Sequence, residues 1–120
     1  MPIITVKGEI SLETAPTKRL VLALEDGGID ILHLCGGNAR CTTCRVNFYE
    51  GEPEHMTVAE RDRLQRNLLM GKVRLSCQIL CDHDMTVQPV YRLSTSNEAD
   101  AGDRPQDHIT PNPVWIDKPQ

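Results

Sequence analysis

The stretch Cys35-Gly36-Gly37-Asn38-Ala39-Arg40-Cys41-Thr42-Thr43-Cys44 decides how this chain is read. It holds three thiols within ten residues and two adjacent glycines between the first pair. A fourth thiol, Cys77, lies well downstream in Arg74-Leu75-Ser76-Cys77-Gln78, and a fifth, Cys81, follows it. Five is an odd number. Residues 1–20 hold no basic start followed by an apolar stretch, which predicts that there is no secretory signal. A disulfide framework is therefore a poor account of these cysteines; thiols in a reducing compartment more often serve metal binding or catalysis.

Spacing narrows the choice of metal. Three clustered thiolates plus one distant thiolate is the pattern of a plant-type [2Fe–2S] site, although that pattern has four residues between its first two cysteines and this chain has five. Structural zinc more often uses two short Cys-x-x-Cys pairs, and here only Cys41 and Cys44 form one. A [4Fe–4S] run would need Cys-x-x-Cys-x-x-Cys, and a Rieske centre would need histidine ligands that the loop lacks. The spacing thus favours [2Fe–2S] over zinc, with Cys35, Cys41, Cys44 and Cys77 as candidate ligands. Gly36 and Gly37 give the loop freedom to curl, so that backbone N–H groups can approach sulfur. Thr42 and Thr43 are candidate hydroxyl donors. His33, two residues before Cys35, invites a Cys–His nucleophile pair; a loop histidine beside a metal centre is the simpler reading. Neither a phosphate-binding Gly-Lys-Ser/Thr loop nor a dinucleotide fingerprint is present.

Working outward, Ile3–Val6 reads as a strand, and residues 9–14 alternate with Ile10 and Leu12 on one side, so a hairpin turning at Gly8 is expected. The apolar run Leu20-Val21-Leu22-Ala23-Leu24 fits a buried helix or a buried strand. Thr17 is a fair N-cap for a helix there, and Gly27-Gly28 a good stop. After the cysteine loop, Arg45–Glu50 reads as a strand with Val46 and Phe48 inward. Thr57-Val58-Ala59-Glu60 is a capping box and starts a helix expected to reach Leu69, with Leu64 and Leu68 on one face and an Asp62–Arg66 pair. Residues 73–77 and 86–90 complete the strands.

Composition excludes several classes. Hydrophobic residues are 39% and charged residues 25% of 120, an ordinary soluble balance for one domain with a tail. No apolar run approaches 18 residues, so no membrane span is expected. The net charge of −4 and only four aromatic residues, Phe48, Tyr49, Tyr91 and Trp115, argue against a nucleic-acid partner. The expected division is a domain over 1–92 and an extension over 93–120. The extension is polar and holds four prolines, yet Ile109, Val114, Trp115 and Ile116 form an apolar patch that predicts packing on the domain.

The loop from Leu34 to Val46 resembles the cluster loop of [2Fe–2S] ferredoxins, and Arg74-Leu75-Ser76-Cys77-Gln78 resembles that family's stretch around its fourth ligand. The five-residue gap is similar to the adrenodoxin and putidaredoxin branch, and the Cys-Gly-Gly start to ferredoxin domains of some bacterial adenylate cyclases, so no subfamily follows. The resemblance implies an α+β fold, a β-grasp mixed sheet packed on one main helix, and it makes residues 17–26 a helix rather than a strand. It implies one [2Fe–2S] cluster, with Cys35 and Cys41 on one iron and Cys44 and Cys77 on the other. It implies a cytoplasmic one-electron carrier, without substrate turnover of its own, between a flavoprotein reductase and an acceptor enzyme. The alternative is a redox- or oxygen-sensing protein that acts by binding another protein. Cys81 matches nothing in the family and reads as a buried free thiol.

Overall fold

The computed structural model describes residues 1–119. Ile3–Val6 (β1) and Ile10–Glu13 (β2) form the opening antiparallel hairpin, with Val6 opposite Ile10. Leu20–Asp26 is helix α1, Arg45–Glu50 is β3, His55–Thr57 is β4 and Val58–Arg66 is helix α2. Arg74–Leu75 (β5), a 3-10 turn at Ser76–Gln78, Met85–Pro89 (β6) and Trp115–Asp117 (β7) follow. The main sheet has the order β2-β1-β6-β3-β5. Its centre, β6, runs parallel to β1 and antiparallel to β3. This is the mixed α+β arrangement expected. Ile4 and Val6, Val46, Met85 and Val87 point from the sheet into a core completed by Leu20, Leu22 and Leu24 of α1 and Leu64 of α2.

Local chemistry shifts several boundaries. Helix α1 starts at Leu20, not near Thr17, and its N-cap is the extended Arg19 with no side-chain cap. The reason is pairing: Leu20 N–H donates to Ile79 O and Cys81 N–H to Lys18 O, which holds residues 18–20 extended against 79–81. Thr57 does cap α2, its hydroxyl accepting from Glu60 N–H at 3.1 Å. That helix stops at Arg66 rather than Leu69. Leu68 takes a left-handed φ of 59° and is 80% exposed, off the buried face. Leu69 N–H then returns to Leu64 O, the closure usually made with glycine in the left-handed position. Asp62 pairs with Arg61, not Arg66. The strand expected at 73–77 is cut to two residues because Ser76 turns aside, its N–H and hydroxyl both donating to Cys44 O.

Sequence reading missed β4 and β7, which pair antiparallel with His55 opposite Asp117. Of the apolar patch in 93–120, Ile109 is 4% exposed, whereas Trp115 is 41% exposed and lies edge-on to the His55 ring.

Candidate metal centre

Two sequence-distant segments are brought together by the Ser76–Cys44 contacts: the loop after Ile31 and the 3-10 turn after β5. The thiols fall into two pairs. Cys41 stands beside Cys35 and holds its pKa down to about 4, while Cys41 itself is pushed up by the same contact. Cys44 and Cys77 are both fully buried and act on one another likewise, Cys44 raised and Cys77 lowered. Cys35 and Cys41 are only partly buried. Among the described residues no three His, Cys, Asp or Glu side chains converge on a single metal ion. Four thiols, two partly exposed and two buried, are a donor set that would hold a [2Fe–2S] cluster.

The loop is shaped for close approach. Gly36 and Gly37 have φ of 72° and 82°, and Ala39, at 56°, shares the left-handed region. At Gly37 a side chain has no room: a Cβ there would stand 2.7 Å from Pro105 and 2.8 Å from the Arg19 guanidinium. The two threonines divide their work. Thr43 Oγ1 accepts from Leu34 N–H at 3.0 Å, which leaves its own proton for the Cys41 sulfur 3.1 Å away. Thr42 Oγ1 instead accepts from Arg45, whose guanidinium also stacks over the Tyr91 ring at 4.6 Å. Gln78 Nε2 points at Cys77 Sγ across 3.6 Å and donates to Thr110 O.

Residues 101–110 form a strap over one flank. Ala101 O accepts from His33 N–H, and Pro105 packs on Gly37. Arg19 is the residue that sequence reading overlooked. Its buried guanidinium donates to carbonyls of the loop, the 3-10 turn and the strap. Burial lowers its pKa and the neighbouring Cys77, Cys44 and Cys35 oppose that. No local signal marks it; its partners are up to 89 residues away.

The other candidates separate from the centre. His33 is buried, and its Nε2 lies 2.6 Å from Glu25 Oε1, which ties the ring to α1 rather than to Cys35 as a catalytic pair. Glu52 pairs with Arg74 and Lys118. Glu60 is buried against Arg74. Cys81 sits in the apolar core, where burial and then Asp82 push its thiol up to about 12.

With this geometry in hand, relatives give a consistent picture. Residues 4–82 match the family described as "2Fe-2S iron-sulfur cluster binding domain". A 2Fe-2S ferredoxin of Haemophilus influenzae is 34% identical over 94 residues, 73% of this chain and 82% of that protein. One component of the Na(+)-translocating NADH-quinone reductase of Shewanella denitrificans is 32% identical over 88 residues, 72% of this chain; the match spans only 21% of that component. Among solved structures, the ISC-like [2Fe-2S] ferredoxin of Pseudomonas putida is 26% identical with a TM-score of 0.60, covering 80% of this chain and 99% of that one. The Amycolatopsis cytochrome P450 reductase, 23% identical with a TM-score of 0.59, shares the fold over 85% of this chain and 27% of its own. The chain belongs to the [2Fe–2S] ferredoxin family, one-electron carriers built around one [2Fe–2S] cluster. No helix among the described residues is long and apolar enough to cross a membrane.

Proposed function

We propose that this chain carries single electrons on a cluster held by Cys35, Cys41, Cys44 and Cys77, the first two on one iron and the last two on the other. The observation that supports the assignment is that Ser76, next to Cys77, donates both its N–H and its hydroxyl to Cys44 O, which holds the distant thiol against the loop of the other three; the division between the irons follows the family resemblance. When bound, the cluster supplies one-electron chemistry, one iron alternating between ferric and ferrous. The chain's own residues orient and shield it. Thr43 donates to the Cys41 sulfur, Arg45 fixes the Thr42 turn, and the strap keeps water from the Gly37 side. Four protein thiolates leave no coordination position for a substrate, so the protein has no turnover of its own.

Its partners are a flavoprotein reductase as donor and a redox enzyme as acceptor, and its compartment is the cytoplasm. The likeness to reductase components supports the first partner. In this reading residues 1–92 are the cluster domain and 93–120 an extension packed on it; residue 120 lies outside the described residues. Iron and acid-labile sulfide should each come to two per chain, with a red-brown visible spectrum and reversible reduction by a ferredoxin reductase. Zinc in place of iron in protein made with ample iron refutes the assignment. Redox-dependent binding to one enzyme without electron turnover would replace the carrier with the sensor.

A further inference from the structure

Every N–H of the Arg19 guanidinium is engaged, and none by a carboxylate. Nε and Nη2 donate to Cys77 O at 3.0 and 2.7 Å, and Nη2 also to Gly37 O at 2.5 Å. Nη1 donates to Gln106 O at 2.9 Å and His108 O at 3.2 Å. A guanidinium has five such donors and does not give up its proton in proteins. The side chain is 0% exposed. A cation this deep needs a compensating negative charge, because carbonyl dipoles replace its hydration only in part. Among the described residues no Asp or Glu pairs with it; the titratable groups acting on it are the thiols of Cys77, Cys44 and Cys35.

We infer that Arg19 is a positioning residue for electron transfer, its permanent charge being the counter-charge to the cluster. The inference rests on the reading that the four cysteines hold a [2Fe–2S] cluster. Two ferric ions, two sulfides and four thiolates sum to −2, and one electron from the donor takes the sum to −3. A cation in water-free contact with the ligand segments favours the more negative state. Arg19 therefore makes the cluster easier to reduce, offsetting the chain's own net charge of −4. It acts through the carbonyl of Cys77 and touches neither donor nor acceptor.

The test compares the wild-type holoprotein with Arg19→Lys and Arg19→Gln, reading iron and sulfide content first and midpoint potential second. If the wild type lacks a [2Fe–2S] cluster, the underlying reading fails, and that is distinct from failure of the inference. With the cluster present, Arg19→Gln should lower the ratio of reduced to oxidised protein at fixed ambient potential at least tenfold, about 59 mV for a one-electron couple. Arg19→Lys, which keeps the charge and loses the fork, should stay within about threefold. If Arg19→Gln cannot be loaded, loading restored in Arg19→Lys supports the charge. A loaded Arg19→Gln with an unchanged potential overturns the inference. So does equal failure of both variants to load, which would make Arg19 a structural clasp only.

Discussion

Arg74 and Arg19 are both buried and both surrounded by backbone carbonyls, yet among the described residues only Arg74 has a carboxylate. Arg74 makes two contacts to Glu60, at 2.8 and 3.1 Å, and donates to Pro53 O and His55 O. Glu60 in turn accepts from Leu75 N–H. Burial pushes the Glu60 carboxyl up and Arg74 pulls it back. That end of the molecule, where β4, α2 and β5 meet, is electrostatically complete in the protein alone. The Arg19 end is not: on the proposed reading, its cation, its thiols and its strap are arranged around negative charge that arrives with the cluster. The difference separates what holds the fold together from what the fold is built to receive.

Removing the cluster is the severest way to break this comparison. Binding energy at a metal site is largely folding energy, so chelation, or Cys77→Ser, should cost on the order of 5 kcal/mol or more, read as a fall in melting temperature. Hydrogen exchange should accelerate most at Leu20, His33 and Gly36, and least at Leu75, whose amide is held by Glu60. An apo form with the same melting curve would erase the distinction. The reverse experiment is Glu60→Gln, which takes away the buried partner of Arg74 and leaves it only the longer contact to the half-exposed Glu52 at 3.4 Å. Breaking a buried pair by removing one partner typically costs about 3–5 kcal/mol. The visible spectrum of the loaded variant should not change; a lost cluster would show that the two ends are coupled. Ile109→Ala should cost about 2–4 kcal/mol, because Ile109 is the buried anchor of the strap. Denaturant melts of the holoprotein check that figure, and a loss near zero would mean that the strap adds nothing to the fold.

Two smaller tests sharpen the Arg19 end. Thr43→Val removes a hydroxyl donor to the Cys41 sulfur and should make reduction harder by less than tenfold, under about 59 mV, with the spectrum retained. The smallest effect concerns acid. Arg104, and then Lys18, hold the Asp26 carboxyl down from 3.8 to about 2. A depressed carboxylate contributes stability above its unfolded value, and the contribution is lost as pH falls through the folded one. The Asp26 clamp on Arg104 should therefore weaken between about pH 4 and pH 2, and Asp26→Asn should flatten that part of the stability profile. Partial exposure keeps the effect small.

The three-plus-one thiols, the opening hairpin and the Thr57 cap were legible because each is local: a spacing, an alternation, a four-residue motif. Helix ends were read less well. Thr17 has cap chemistry, but pairing of residues 18–20 with 79–81 overrides it, and Leu68 occupies a left-handed position where glycine would have announced the stop. Strands β4 and β7 are three residues each and pair across about sixty residues, too short for periodicity to register. Arg19 was invisible for a different reason. In a sequence an arginine reads as solvated, and only the fold gathers Gly37, Cys77, Gln106 and His108 around it. At the site, thiol spacing pointed to the candidate ligands, while the charge and the covering strap emerged only in three dimensions.

The central position of β6 governs how the chain can fold. β1 finds its parallel neighbour at Met85, Thr86 and Val87, and β3 finds its antiparallel one between Thr86 and Pro89. Neither can join the main sheet until β6 is in place, and the opening hairpin alone is at best marginal in water. The loop entropy of the β1–β6 closure comes before any reward from the sheet, so folding should be slower than that of a helical bundle of similar size. A fragment ending before Met85 should remain without its sheet, whatever helices it forms.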